Sequence, residues 1–320
     1  MQKRILITGG SGFIGTNLLK YYIGKNEAVL NIDINEPALP EQKQYWRRAD
    51  ILLDNLDVIV REFSPTHIVH LAARTDINGK TAADYTVNVK GTENIIEAAK
   101  SAASLEKIIF ASSMLVCRPG YIPSNDLDFF PSTRYGESKR DMELLIREKN
   151  IQTDWIIVRP TSIWGPWFKT PYKDFFDRVI AGKMYSIKKR ACVKTYGFVL
   201  NTVYQIDKLL NKTGLKGQVF YLGDSPPLNI NKWADDISDK LNIKRPPRFS
   251  YRLFVCAALA GDLLGKAGIH FPMTSFRLKN MTTDNIVPLQ NLREITGPLP
   301  YSEDAAITIT LDWINKKNNF

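Results

Sequence analysis

The sequence predicts an α/β protein: a Rossmann-type, doubly wound parallel sheet with a smaller, mostly helical C-terminal domain. Three observations predict it. Strand and helix patterns alternate through the first 160 residues, as parallel strands joined by right-handed helical crossovers require. A glycine cluster follows the first apolar run directly, and Asp33 ends the second. Beyond Pro160 the alternation weakens, and prolines and aromatics crowd residues 164–172.

The elements follow in order. Residues 4–8 are a short apolar run before glycine, which reads as a buried strand, and residues 13–22 have helical period. Residues 28–32 are the next strand, followed by a loop rich in Pro and Glu. A helix at 57–63, a strand at 67–71, a long helix at 83–99 and a strand at 107–111 come next. A helix at 135–148 and a strand at 155–159 close the series. Later elements are a helix around 175–181, a strand at 219–222 and a helix near 233–241. Arg245-Pro246-Pro247-Arg248 reads as a linker. The apolar run 253–264, interrupted by Asp262, is too short to span a bilayer and reads as a core or pocket helix, with a membrane-facing or lipid-facing helix as the alternative.

A chain of 320 residues with 44% hydrophobic content supports one large domain or one with a smaller companion. The formal charge of +10 favours anionic partners. Nucleic acid, anionic lipid or a phosphorylated small molecule could answer it; the longest basic run is Lys188-Lys189-Arg190 and no nucleic-acid motif accompanies it, so a solvated basic surface is the leading reading, with a field that also favours an anionic substrate. Cys117, Cys192 and Cys256 show neither metal-ligand spacing nor a disulfide framework. With no signal-peptide pattern after Met1 and no membrane insertion expected, the reading is a cytoplasmic protein without a metal.

Gly9, Gly12 and Gly15 give a G-x-x-G-x-x-G spacing between the first strand and first helix. The first glycine permits a tight turn, the second close approach to a pyrophosphate, the third close helix–strand packing. Amides at the helix N-terminus then face the phosphates. Asp33 stands where an acid binds a ribose 2′-hydroxyl, and its charge repels a 2′-phosphate, so NAD is expected rather than NADP.

Tyr135 and Lys139 lie four apart at the start of a helix, on one face. An ammonium beside a phenol lowers the phenol's pKa and lets it work as an acid or base near neutrality. Ser112 and Ser113 follow the strand at 107–111, at the carboxyl edge of the sheet where such folds place ligands.

On these motifs, with His70-Leu71-Ala72-Ala73-Arg74, Asn88-Val89-Lys90-Gly91-Thr92 and Arg159-Pro160, the first 165 residues resemble the extended short-chain dehydrogenase/reductases, in particular the nucleotide-sugar epimerase/dehydratase family. The resemblance implies that Asp50 and Ile51 hold the adenine. Leu71, Ala72 and Ala73 line the cofactor by backbone contact, and Asn88 lies near the nicotinamide. Phe13, Ile14, Asn35, Ser112 and Pro160 complete the implied cofactor set. It implies Tyr135 as the general base, Lys139 on the nicotinamide ribose, and Ser113 on the reacting oxygen. Arg74, Ser113, Ser162 and Lys194 are the implied substrate contacts. The implied domains are an NAD-binding unit at 1–165, with elements near 195–225 returning to it, and a substrate-binding cap over 166–320. A homodimer through the helices at 88–99 and 135–148 is also implied.

Departures from the family pattern narrow the reaction. Met114 and Leu115 stand where 4,6-dehydratases carry an Asp-Glu pair, and the decarboxylating members have a glutamate at the Leu115 position. What remains is 4-epimerisation or 4-keto/4-hydroxy oxidoreduction, expected in bacterial-type polysaccharide sugar biosynthesis. Ser162, Trp164, Lys194 and Asn201 depart from the usual nucleotide-sugar residues, and Cys117, at a usual tyrosine position, reads as packing. The apolar stretch 251–286 is somewhat similar to 3β-hydroxysteroid dehydrogenase relatives, which keeps a steroid or lipid-linked alcohol as an alternative substrate. A non-enzymatic NAD-sensing regulator is the third reading.

Overall fold

The structure, a computed structural model, describes residues 2–266, 268–269 and 271–318. The sequence patterns resolve into β1 (Arg4–Thr8), α1 (Phe13–Gly24), β2 (Ala28–Asp33), β3 (Trp46–Arg48), α2 (Leu56–Phe63), β4 (His67–His70), α3 (Thr86–Ala99), β5 (Lys107–Ala111), α4 (Arg134–Glu148) and β6 (Asp154–Pro160). After these come β7 (Ser162–Trp164), α5 (Tyr172–Ile180), β8 (Ser186–Ile187), β9 (Val193–Lys194), β10 (Tyr196–Phe198), α6 (Val199–Asn211), β11 (Val219–Leu222), β12 (Leu228–Asn229), α7 (Ile230–Lys240) and β13 (Arg248–Phe249). Four helices finish the chain: α8 (Tyr251–Lys266), α9 (Ser275–Thr282), α10 (Gln290–Thr296) and α11 (Glu303–Asn318).

Seven parallel strands form one sheet in the order β11-β6-β5-β4-β1-β2-β3. The order reverses at β1 and β4, which opens a crevice at their carboxyl ends. Strand periodicity sorts the core into two layers. Ile5, Ile7, Ile109 and Val158 face α1 and α6, where Leu18, Leu19, Val203 and Ile206 meet them. Leu6, Ile108, Phe110 and Ile157 face α2, α3 and α4, against Ile59, Ile95 and Met142. A third, aromatic core of Trp164, Phe176, Phe198 and Trp233 joins α5, α7 and α11 in the second half of the chain.

Four expectations change. The loop after β2 contains β3, an edge strand held by pairing with Asn31, Ile32 and Asp33. α6 is not read from the sequence, yet it covers the sheet opposite α4. Arg248, read as linker, pairs with Ser186 across β13 and β8. The run 253–264 is not a core helix: α8 buries only Phe254, Ala258 and Gly261, because it lies on a small core at the periphery. Among the described residues no helix is long and apolar enough to cross a membrane.

Candidate functional site

The glycine turn is closed by sterics that a side chain would break. Gly9 adopts φ +73°, and a Cβ there would sit 2.6 Å from the Ala72 nitrogen. A Cβ on Gly15 would sit 2.4 Å from the Gly9 carbonyl. α1 therefore starts directly against the β1 turn. Its N-cap, Gly12, supplies no side-chain acceptor, so the first-turn amides, Phe13, Ile14 and Gly15 among them, have no intrahelical partner and suit a phosphate. Phe13 packs near Phe168, and Ile14 is partly buried against the sheet core.

Asp33 ends β2 beside this turn. Its carboxylate accepts from Ser11 N (3.0 Å) and from Asn35 N (2.8 Å), while the Ser11 hydroxyl donates to Asn35 O. Each carboxylate oxygen keeps a lone pair for a ribose hydroxyl. Asp50 accepts from Leu52 N, and Ile51 is buried with its carbonyl accepting from Asn94 Nδ2 (2.8 Å). These residues fit a dinucleotide: an amide-lined turn for the diphosphate and a carboxylate for the ribose.

The segment Leu71, Ala72, Ala73 leaves β4 under Gly9, and buried polar bonds fix it. Ala72 N donates to Thr8 Oγ1. Thr8 Oγ1 donates to His70 Nδ1 (2.7 Å), and His70 Nε2 donates to Thr92 Oγ1 (3.0 Å), which donates to Asn88 O. These directions follow from Thr92 using its only proton on a carbonyl. Burial drives the His70 pKa down to about 3, with Lys139 adding to the effect, so the ring is neutral. Asn88, fully buried, donates to Arg74 O and Ser138 Oγ and accepts from Arg74 N (2.8 Å). Its amide thus clips the segment after β4 to α4. Thr8 and Thr92 fall inside the sequence motifs but without a role, and Asn94 falls in none, since neutral donors in strands and helices carry no signal until the partner is known.

Ser113 caps the short turn Met114–Val116, its hydroxyl accepting from Leu115 N (3.1 Å). Thr133 caps α4 by accepting from Gly136 N (3.0 Å). A Cβ on Gly136 would sit 2.2 Å from the Leu115 carbonyl. This missing side chain lets the start of α4 press onto the Ser113 turn and brings Tyr135 to Ser113. Ser112 is buried, with its amide donating to Val158 O (2.7 Å). Pro160 ends β6 alongside.

Tyr135, Ser113 and Lys139 are all buried, and Tyr135 and Lys139 share the inward face of α4. The expected electrostatics differ. Burial raises the Tyr135 pKa to about 12, opposed by a hydrogen bond with Ser113, while the tyrosines 172 and 85 raise it further. Lys139 Nζ donates to Ala111 O (2.8 Å), at the end of β5, instead of acting on the phenol. The lysine reaches over its own helix to the sheet because an ammonium this deep needs an acceptor. Glu143, one turn on, also faces the sheet and pairs with Arg159 at 2.8 Å. The Tyr135, Lys139, Glu143 spacing of four was a signal for it.

Burial lowers the Lys139 pKa from 10.5 to about 8, and Glu143 partly restores it. A base whose folded pKa is depressed binds fewer protons folded than unfolded. Its contribution to stability is full above pH 10.5 and is lost as pH falls through about 8. The scale is at most about 3 kcal/mol, from a difference of 1.36 kcal/mol per unit. Urea unfolding between pH 8 and pH 10 should show stability rising for the wild type, and Lys139→Met should flatten that rise. An unchanged slope in the variant would show that Lys139 is not the group responsible.

The expected substrate residues are engaged with protein, and Ser162 and Arg74 each reach the neighbourhood of Tyr135 through a tyrosine. Ser162 accepts from the Tyr172 hydroxyl (2.8 Å), and Tyr172 packs edge-on to Tyr196. The Arg74 guanidinium bonds Asp76 (2.8 Å) and lies over the Tyr85 ring, which in turn neighbours Tyr135. Lys194 donates to Asn280 O (2.8 Å) near the C-terminus of α9, where a cation meets the negative end of the helix dipole. Tyr85, Tyr172 and Tyr196 were not singled out from the sequence; only the fold gathers them about Tyr135. Cys117 is buried, which raises its thiol pKa and fits packing rather than nucleophilic chemistry.

The model of the NAD dependent epimerase/dehydratase family matches residues 5–205. The N-acetyl-α-D-glucosaminyl-diphospho-ditrans,octacis-undecaprenol 4-epimerase of Escherichia coli O157:H7 is 26% identical, over 98% of this chain and 96% of its own. A 3β-hydroxysteroid dehydrogenase of Mycolicibacterium neoaurum is 24% identical, over 94% of this chain and 89% of its own. Among solved structures, UDP-glucose 4-epimerase of Thermotoga maritima with UDP-glucose superposes with a TM-score of 0.77 at 17% identity, covering 98% of this chain and 99% of that one.

Proposed function

This chain belongs to the NAD-dependent epimerase/dehydratase family, and from that premise we propose that it is a 4-epimerase of nucleotide sugars. It is an NAD-dependent enzyme of the extended short-chain dehydrogenase/reductase type. NAD, when bound at the glycine turn, supplies a reversible hydride acceptor. In the proposed reaction Tyr135, its pKa brought down from about 12 by the positive charge of a bound nicotinamide, takes the proton of the sugar C4 hydroxyl. The Ser113 hydroxyl donates to the carbonyl oxygen that forms. The 4-keto sugar turns over within the site, and Tyr135 returns the proton as C4 is reduced on its other face. Lys139 holds positive charge beside the phenol's helix turn and offers donors to the cofactor ribose.

One observation carries the reading. The buried Tyr135 hydroxyl hydrogen-bonds the buried Ser113, Lys139 lies one turn on along the same inward face of α4, and the positions after Ser113 are Met114 and Leu115. No carboxylate is among the groups that shift Tyr135. A site with one acid/base can move one proton to and from one oxygen, which suffices for epimerisation but not for dehydration. The 4-epimerase names of the E. coli and Thermotoga proteins support the same chemistry.

A second reading, oxidation of a 3β-hydroxysteroid or lipid-linked alcohol, is favoured by the steroid dehydrogenase that aligns with 94% of the chain. The test is one assay on the protein as purified, without added cofactor, against UDP-, dTDP- and GDP-sugars and 3β-hydroxysterols. The 4-epimer of one nucleotide sugar is the expected product. Sterol oxidation that requires added NAD, with every sugar unchanged, would overturn the proposal in favour of the second reading.

A further inference from the structure

The peripheral helix pair α8–α9 has an outer surface that the main fold does not cover. Phe254 and Ala258 turn inward onto Ile187 and Leu278, a small core separate from the others. The outer stripe of α8 reads Arg252, Cys256, Leu259, Leu263, Lys266, spaced four, three, four and three. That is one helical face. Leu259 is 60% exposed, Leu263 70%, and Phe276 on the neighbouring α9 73%. Leu253 in the first turn of α8 and Ile269 just beyond its end are also exposed.

Charge frames this surface. Arg252 and Lys266 end the stripe about 21 Å apart at 1.5 Å per residue. Lys188, Lys189 and Arg190 are exposed at the N-terminal end of α8, where the Arg190 guanidinium lies 4.4 Å from the centre of the Tyr251 ring. Lys279 lies one turn from Phe276. Asp262 is the only acidic residue of the two helices, and it points toward α9, accepting from Ser275 N (3.1 Å). An apolar stripe with cationic ends and no acid on its outer face matches a bilayer surface with anionic headgroups. Long basic side chains reach the headgroups while leucines enter the acyl boundary.

We propose that the outer face of α8, with Phe276 of α9, docks the enzyme reversibly on an anionic lipid bilayer. The helix lies in the interface and does not cross it. The proposal goes beyond the reading of the reaction and holds whichever alcohol is oxidised.

The test is sedimentation of the full-length protein with vesicles of phosphatidylethanolamine and phosphatidylglycerol, and with vesicles of phosphatidylcholine alone. The wild type should pellet with the anionic vesicles, bind the neutral ones at least about tenfold more weakly, and be released by about 1 M salt. Leu259→Glu/Leu263→Glu should lower partition about a hundredfold, roughly tenfold per leucine, at unchanged melting temperature. Cys117 and Cys192 are buried and Cys256 is exposed, so an environment-sensitive thiol dye on Cys256 should shift to the blue on adding anionic vesicles. A wild type that stays in the supernatant, or a dye that keeps its aqueous emission, overturns the proposal. So does a lipid-free dimer that the double substitution splits while vesicles recover no protein, since the face would then cover a second copy of the chain.

Discussion

Tyr135→Phe should leave a folded, NAD-binding protein whose turnover is lower by about a thousandfold, within the range that a positioned acid/base contributes. The ring stays, so its packing near Tyr85 (6.1 Å between centroids) survives. Only the hydroxyl is lost, and with it the one group proposed to move the C4 proton. Ser113 cannot substitute, because a serine hydroxyl has no accessible anionic form near neutral pH. The loss should fall equally on kcat and kcat/KM, the mark of an interaction used in the transition state rather than in ground-state binding. Thermal shift with NAD should match the wild type. Steady-state kinetics on the sugar identified in the assay above is the measurement. Turnover within a few-fold of wild type would remove Tyr135 from the reaction and return the NAD-sensing reading to contention.

Glu143→Leu should destabilise the protein by about 3–5 kcal/mol, because it strands a guanidinium inside the molecule. Arg159 is 1% exposed and Glu143 0%. The pair is bidentate, Nε to Oε1 at 2.9 Å and Nη2 to Oε2 at 2.8 Å, and Arg159 also donates to Asp126 O (2.7 Å) and the Tyr221 hydroxyl (3.1 Å). Burial alone would lower the Arg159 pKa; the Glu143 carboxylate outweighs it and holds the guanidinium charged. The double variant Glu143→Leu/Arg159→Met should recover most of the loss, since removing both charges removes the desolvation each would suffer alone. Urea unfolding of the wild type, both single variants and the double variant gives the coupling. Additive losses would show that the pair does not act as a unit. Glu143→Leu should also move the Lys139 stability rise to lower pH, because Glu143 is the group that raises Lys139.

Legibility differs from residue to residue. β1, β5 and β11 are read from the sequence at the boundaries the structure has, because a buried parallel strand is a short apolar run bounded by glycine or polar residues. The glycine turn is equally legible: only a missing Cβ permits the contacts of Gly9 and Gly15 with their neighbours. α8 misled, because an apolar run shows that a helix forms but not which face finds a cover. The electrostatics of Tyr135 misled too, because spacing fixes the side of the helix but not where the Lys139 ammonium finds its acceptor.

By itself the sequence determined six of the seven sheet strands, the glycine turn, and the placement of Tyr135 and Lys139 on one helix face. Those follow from periodicity and backbone geometry, which act over a few residues. Only the tertiary structure decided that Lys139 bonds Ala111, that Arg159 is neutralised by Glu143, that His70 is a neutral relay between two threonines, and that α8 keeps its leucines in water. Each depends on burial and on partners set by packing, and desolvation acts only once distant segments have closed around a group.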